Sequence, residues 1–319
     1  MKKIKIKFCD FWNGFNYNDN FIVNVLSQTY DVVQNDNPDY IFYSDFGYEH
    51  LKYKCIRIFY TGENIVPDFN IADYAIGFHH INFNDRYIRF PLYLLYKNSI
   101  EMIVNRQNEC FKLGEKTKFC NFIYSNPEGD QSREIIFNKL NAYKKVESGG
   151  KYLNNIGYNI VNKYEFQRAC KFSIAFENSS TPGYTTEKIL EAFAAKTIPI
   201  YWGDPNIDID FNENAFINCH KYTSFDDVVE RVIQIDNDDE LYKRLLNENV
   251  FSKINFIEDK NKELSEFLNN IFIQDYENAF RRNRVFRGKI YENNVSALPY
   301  AIKFNNFFCR VNSLLKRRG

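Results

Sequence analysis

The sequence predicts an α/β protein built as two domains with a cleft between them. Three observations predict it. A length of 319 residues exceeds what one ordinary core organises. Short apolar runs alternate with runs of helical spacing, the pattern of parallel strands joined by helical crossovers. A polar stretch near Asn105–Lys118 interrupts that alternation, which then starts again.

The elements follow in order. Lys3–Phe8 alternates as a first strand, and "DFWNGFN" turns away from it. "FIVNVLSQTY" has helical spacing, and Asp39–Phe46 reads as a buried strand. Cys55–Asn64 is a further strand that ends in a glycine-containing loop, and Ala72–Phe78 is one more. Beyond the polar boundary, Phe119–Asn126 reads as a strand, Ser132–Tyr143 as a helix, and "VESGGK" as a glycine-bearing turn. "KYEFQRAC" is a short helix and Lys171–Asn178 a strand. After a small polar loop come the helix "TEKILEAFAAK" and the strand Thr197–Gly203. From "TSFDDVVERVIQI" to about Tyr276 the pattern is mainly helical. The expected domains are residues 1–115 and 116–276, followed by a basic, amphipathic tail over 277–319.

Composition narrows the function classes. Hydrophobic residues at 45% supply real cores, and 41 basic residues balance 41 acidic ones. No global basic field exists to attract nucleic acid, so no nucleic-acid partner is expected. The seven cysteines include no Cys-x-x-Cys pair and are odd in number, which speaks against a disulfide framework or zinc site. The opening "MKKIKIKFCDFW" lacks the apolar run of a signal peptide, and no stretch approaches a bilayer span. A cytoplasmic location is the expectation.

One unit carries the chemistry. Strand 171–177, loop 178–184, helix 185–196 and strand 197–202 form a βαβ crossover, so the loop lies at the carboxyl edge of a parallel sheet, where ligands bind. The helix start offers free amides and a partial positive charge, with Thr185 or Thr186 as cap and Gly183 letting backbone come close to a ligand. A lysine in that first turn, Lys188, opposes the helix dipole unless an anion sits there. Alone, an adjacent Glu-Lys pair would be a solvated helix face; loop, helix start and strand together favour a site. Pro199 inside the last strand suggests an edge or bulge, and Trp202 reads as packing.

The stretch "FENSSTPGYTTEKILEAFAAKTIPIYWGDPNI" closely resembles the signature of the α1,3-fucosyltransferases of glycosyltransferase family 10, the bacterial members nearest. "FYTGENIVPDFNIADYAIGFHHINFNDRYIRFPLY" (Phe59–Tyr93) resembles that family's acceptor-domain motif, and Ser125–Leu140 and Glu147–Ile160 fit in order and spacing. The resemblance covers roughly residues 3–275 and implies a GT-B architecture, two Rossmann-like domains facing across a cleft. It also implies inverting transfer of L-fucose from GDP-β-L-fucose, the co-substrate, to N-acetylglucosamine of a lactosamine-type oligosaccharide or lipopolysaccharide acceptor, giving a Lewis-type product. The alternatives are α1,4 linkage, another acceptor or GDP-sugar, or a silent nucleotide-sugar binder.

Matching positions assign roles. Glu63 in "TGEN" falls at the proton acceptor, with Asp68 and Asp73 as lesser rivals, Asp73 more structural in its setting. Lys188 and Arg133 fall at the diphosphate, where Arg133 would otherwise be a solvated helix-start residue. Asn178, Tyr184 and Glu187 match donor-binding positions; Ser125, Asn126, Gly149 and Gly150 match loops beside the nucleotide. The Asp-x-Asp runs at Asp208–Asp210 and Asp236–Asp238 lie away from the inferred phosphate edge, so no metal and no other cofactor is expected. Residues 281–319 hold ten Lys or Arg and one Glu, and after Pro299 apolar residues recur at helical spacing. Two readings stand equal: a basic amphipathic helix lying peripherally on the inner face of the cytoplasmic membrane, and a last helix packed on the first domain.

Overall fold

The structure, a computed structural model, describes residues 1–105 and 113–316, the last from 306 onward as backbone alone. Cys110 and Cys309 lie outside the residues whose side chains are described. Contacts divide the chain into two compact units. The first comprises Met1–Gly77, Ile81–Arg89 and Lys262–Gly319; the second comprises Phe78–His80 and Phe90–Asn261.

The first unit holds a six-stranded, all-parallel sheet. Its strands are β1 (Lys2–Cys9), β2 (Tyr30–Gln34), β3 (Tyr40–Tyr43), β4 (Ile56–Tyr60), β5 (Tyr74–Gly77) and β6 (Tyr87–Arg89), in the order β2-β1-β3-β4-β5-β6. β3, β4 and β5 are buried along their whole length, which is why they read as continuous apolar runs rather than alternating ones. The run expected to be one helix over 21–30 divides into α1 (Phe21–Leu26), capped by the Asn20 side chain, and the start of β2. Helix α2 (Lys97–Asn105) belongs to the second unit.

The second unit carries five parallel strands: β7 (Lys118–Phe122), β8 (Val146–Ser148), β9 (Cys170–Phe176), β10 (Ile198–Trp202) and β11 (Ile217–Asn218), ordered β11-β10-β9-β7-β8. Helices α3 (Ser132–Tyr143), α4 (Lys163–Arg168), α5 (Glu187–Ala194) and α6 (Phe225–Asn237) connect or cover them, and α7 (Asp239–Asn247) follows. The stretch expected only to turn at 146–151 first forms β8, its turn beginning at Gly149. Pro199 sits in an interior strand, yet β11 pairs with β10 only from Ile200 onward, so β10 is unpaired on that side at the proline. Strand order reverses between β7 and β9, and the carboxyl ends at such a switch point diverge and leave room for a ligand.

After α7 the chain returns to the first unit through α8 (Phe256–Ile273), whose Phe272 packs on Tyr40 and Tyr30, and one turn at α9 (Tyr276–Ala279). It ends in α10 (Phe286–Lys316), a single helix running through Pro299 rather than starting after it. Of its early residues, Gly288, Glu292, Val295 and Ser296 are half-buried, with Val295 against the core around Ile41, Phe59 and Ala75. Leu298, Tyr300, Ile302 and Phe304 are exposed. Among the described residues, no helix is long and apolar enough to cross a membrane.

Candidate active site

At the switch point of the second sheet, the backbone ladder between β7 and β9 ends at Asn121 and Ser173. A side chain continues it. The Tyr124 hydroxyl accepts from the Phe176 N–H (2.7 Å) and lies within donating distance of the Ile174 (2.9 Å) and Phe176 (3.2 Å) carbonyls. On the face of this ring lies the Arg133 guanidinium, 4.4 Å from the centroid. Arg133 is 2% exposed, so it is no solvated helix-start residue. One terminal nitrogen donates to the Phe176 carbonyl (3.2 Å) and to the Asn178 side-chain oxygen, while Nε is buried with no partner among the described residues. Gly129 leaves the space for it, since a Cβ there would stand 2.0 Å from Nη1.

Beside it stands a second cation. Lys188, in the first turn of α5, donates to Glu177 Oε2 (2.8 Å) and to Thr186 Oγ1 (2.7 Å). Glu177 is fully buried and also accepts from the Thr186 N–H (2.8 Å) and hydroxyl (2.7 Å). Lys188 thus pairs most closely with Glu177, with Glu187 farther off at 3.7 Å, and Glu177 occupies the Thr186 amide at the start of α5. Gly203 makes the cluster feasible: a Cβ there would be 2.4 Å from Glu177 Cγ. Burial opposes charge on Lys188, but the carboxylates of Glu177 and Glu187 outweigh it and hold the pKa above the ordinary lysine value. For Glu187, burial raises the pKa, and the Lys188 charge together with hydrogen bonds at the helix start and the Lys163 charge more than offsets it, leaving it below the usual carboxylate value. Tyr124 links both cations: burial drives its phenol pKa up, against the Arg133 and Lys188 charges.

The remaining expected residues fall as follows. Asn178 is exposed just past β9, and its carbonyl accepts from Asp130 N–H (3.0 Å). Ser125 and Asn126 are exposed on the loop after β7, and Asn126 accepts from the Glu128 N–H (2.9 Å). Gly149 and Gly150 are buried beside β7, where a Cβ on Gly150 would lie 2.1 Å from the Tyr124 carbonyl oxygen. Tyr184 is 3% exposed and packs on Phe78 with centroids 5.1 Å apart. Gly183, at φ +87°, brings its backbone against the Phe78 carbonyl, 2.3 Å from a would-be Cβ; the close approach expected toward a ligand is made to the chain itself. Thr185 turns to Asp204 (3.3 Å) instead of capping α5. Trp202 stacks on Phe176 and His220, a packing role.

Glu63 lies on the first unit, exposed on the loop after β4. Its N–H donates to Thr61 Oγ1 (2.9 Å), and Thr61 donates to Asp45 Oδ1 (2.6 Å). Asp73 is fully buried and accepts from the N–H groups of Arg57, Arg281 and Arg282, which suits structure rather than catalysis. The two Asp-x-Asp runs are engaged elsewhere: Asp208 with Lys221, Asp236 with Lys144 and Lys171, and Asp238 capping α7. No group of three His, Cys, Asp or Glu with metal-ligand placement occurs among the described residues.

Sequence reasoning gave no role to Glu177 or Tyr124. Glu177 was visible as a lone acid ending an apolar run; Tyr124, inside an aromatic-rich strand, carried no signal of its own.

Two parallel-stranded α/β units, with a buried and a half-buried cation at the switch point of the second, define a GT-B type glycosyltransferase fold. Residues 6–96 match the model of the α-(1,3)-fucosyltransferase FucT N-terminal domain, and residues 113–267 that of glycosyltransferase family 10 (fucosyltransferase), C-terminal. The chain belongs to glycosyltransferase family 10. It is 35% identical over 268 residues to the α-(1,3)-fucosyltransferase FucT of Helicobacter pylori, across 70% of this chain and 55% of that protein. It is 26% identical over 143 residues to human 4-galactosyl-N-acetylglucosaminide 3-α-L-fucosyltransferase 9, across 43% of this chain and 38% of that one. The chain thus spans about half or less of these relatives. A crystal structure of an α1,3-fucosyltransferase with GDP-fucose superposes with a TM-score of 0.70 at 29% identity, covering 86% of this chain and 93% of that one.

Proposed function

We propose that this chain transfers L-fucose from GDP-β-L-fucose to N-acetylglucosamine in a lactosamine-type glycan, with inversion, to give an α1,3-linked, Lewis-type product. The observation that carries the reading is the pair of cations at the switch point, half-buried Lys188 and buried Arg133, the latter with its Nε without a partner among the described residues. Such a pair suits a diphosphate. Lys188 has three N–H donors; two are used internally, and the third has only the more distant Glu187 before it. The names of the relatives support the donor and the acceptor class.

In the reaction, the acceptor hydroxyl oxygen bonds to fucose C1 as the bond from C1 to the phosphate oxygen breaks. The electron pair leaves with GDP, and the hydroxyl proton passes to the Glu63 carboxylate. Lys188 and Arg133 hold the charge that grows on the leaving diphosphate, and Asn178, Tyr184 and Glu187 complete the donor side. With those cations supplying the charge, the reaction needs no divalent metal. The natural acceptor is a lipopolysaccharide-type glycan at the inner face of the cytoplasmic membrane. Residues 299–319 touch the lipid surface there, in keeping with exposed Tyr300, Ile302 and Phe304 beside Lys303. A second reading keeps the fold with α1,4 linkage or another acceptor.

The test is GDP release from GDP-fucose with a lactosamine acceptor, with and without EDTA, followed by linkage analysis. Full turnover with EDTA and an α1,3 product are expected; no turnover with this pair defeats the reading, and an α1,4 product shifts it to the second. For the tail, cosedimentation with anionic vesicles is expected for the chain and not for a variant lacking residues 299–319. Equal behaviour of the two defeats the membrane contact.

A further inference from the structure

The segment Arg281–Val295 holds the loop that carries Glu63 and the start of the strand that leads into it. At the start of β4, ahead of the loop, stands Arg57, a fully buried guanidinium whose Nη2 meets Glu292 Oε1 at 2.6 Å. Within the loop, Asp68 Oδ2 accepts from the Tyr291 hydroxyl at 2.7 Å. At its exit, Asp73 Oδ1 accepts from the N–H groups of Arg281 (2.9 Å) and Arg282 (2.8 Å), and Oδ2 pairs with the Arg282 guanidinium. The Arg282 side chain is itself buried and donates to the Cys55 carbonyl (3.1 Å), just ahead of β4.

The loop cannot hold itself in this way. Residues 61–73 contain no strand or helix, and Ile65 and Val66 are exposed. Asp68 anchors the local turn by accepting the Asn70 N–H and, through its carbonyl, those of Ile71 and Ala72. The turn is held from outside at two points, by Arg86 on the Phe69 and Ala72 carbonyls (2.9 Å each) and by Tyr291 on Asp68, and only the second reaches the side chain that organises it. Irregular backbone with exposed apolar tips is the kind of segment that opens locally unless tied down.

We infer that Arg281–Val295 is a positioning element that fixes the Glu63 loop for proton transfer, with Arg282 and Tyr291 as its positioning residues. The inference rests on Glu63 being the proton acceptor. It assigns the start of the carboxyl-terminal helix a role in catalytic geometry that is separate from any membrane contact of residues 299–319.

Two variants of the full chain test it, Tyr291→Phe, which removes one hydroxyl from an exposed position, and Arg282→Leu, which removes the buried fork. Amide exchange over residues 61–72, GDP affinity, and kcat and KM for both substrates are the readouts. Faster exchange in that loop is expected in both variants, with unchanged GDP affinity. Misplacing a catalytic group should lower kcat by about tenfold, more for Arg282→Leu, while KM for GDP-fucose moves less than about twofold. The variant Glu63→Gln separates the two layers. If it transfers fucose normally, the base assignment falls and the inference with it. If it is inactive while Tyr291→Phe and Arg282→Leu keep wild-type kcat and loop exchange, only the positioning role is overturned.

Discussion

A lysine held between two carboxylates in a mostly buried site has a definite energetic order. Glu177 is fully buried, whereas the Lys188 side chain keeps 16% of its surface. Removing Lys188 strands a carboxylate that cannot reach water; neutralising Glu177 strands an ammonium that can. Breaking a buried pair from one side costs about 3–5 kcal/mol, so Lys188→Met should be the more destabilised variant and Glu177→Gln the less, by thermal unfolding. Titration with GDP should add a second contrast, with affinity reduced about tenfold to a hundredfold in Lys188→Met. Much at this scale was legible. Lys188 stood out because a cation at a helix start contradicts the helix dipole, whereas Arg133 was marked only by the resemblance, its place at a helix start reading by itself as solvated. Glu177 stayed illegible because its partners lie nine and eleven positions on, across a loop whose path no periodicity encodes.

Long, fully buried strands announced themselves, while short ones did not. β6 and β8 span three residues and β11 two, below the length at which alternation can be recognised. Their placement comes from neighbours: β8 and β11 complete the flanks of a sheet whose centre is β7, β9 and β10. The elements of that unit are also joined by charge. Asp236, near the end of α6, accepts from Lys171 (2.7 Å) at the start of β9, and from Lys144 (3.0 Å) and Tyr143 (3.1 Å) at the end of α3. Burial raises its pKa, but the hydrogen bonds from Lys171 and Lys144 prevail, so its folded pKa lies below the ordinary value. The stability it contributes is therefore present above the unfolded carboxylate pKa of about 3.9 and lost as pH falls through the folded one. Asp236→Asn should cost about 2 kcal/mol at neutral pH, with the gap to wild type closing in acid, as denaturant midpoints against pH would report. Equal gaps at every pH would contradict this.

For the molecule as a whole, the sequence indicated two alternating α/β halves, but the polar stretch at 105–118 is not where they part: contacts change unit between Arg89 and Phe90, right after β6, so α2 already belongs to the second unit. Composition and pattern left a last helix packed on the first domain as one of two readings and did not show where the chain goes back: from Lys262, within α8, onward it belongs to the first unit, α9 and α10 included. That return depends on Asp73 finding Arg281 and Arg282 over two hundred positions later, a pairing with no local signature. The described cysteines Cys9, Cys55, Cys120, Cys170 and Cys219 are all free and buried, and burial pushes their thiols up, Cys55 and Cys170 to about 11. A thiol-alkylating reagent near neutral pH should leave these five unmodified in the native protein and label them on unfolding, as mass spectrometry would resolve site by site. Rapid native labelling of any one would mean that its unit opens far more readily than its packing implies.

The Tyr124 bridge has a consequence for how this scaffold can change. Where two strands part, their spacing is usually negotiated by many weak backbone contacts and drifts with sequence. Here one phenol spans the gap, with the Arg133 guanidinium resting on its face. The ring behaves as a gauge block: it sets the spacing of the cradle in a single step and aims the arginine at the same time. Phenylalanine at that position would keep the volume and lose the setting. Variation in the nucleotide partner of this fold would then have to begin around the block, in the loops after β7 and β8, and leave the block itself in place.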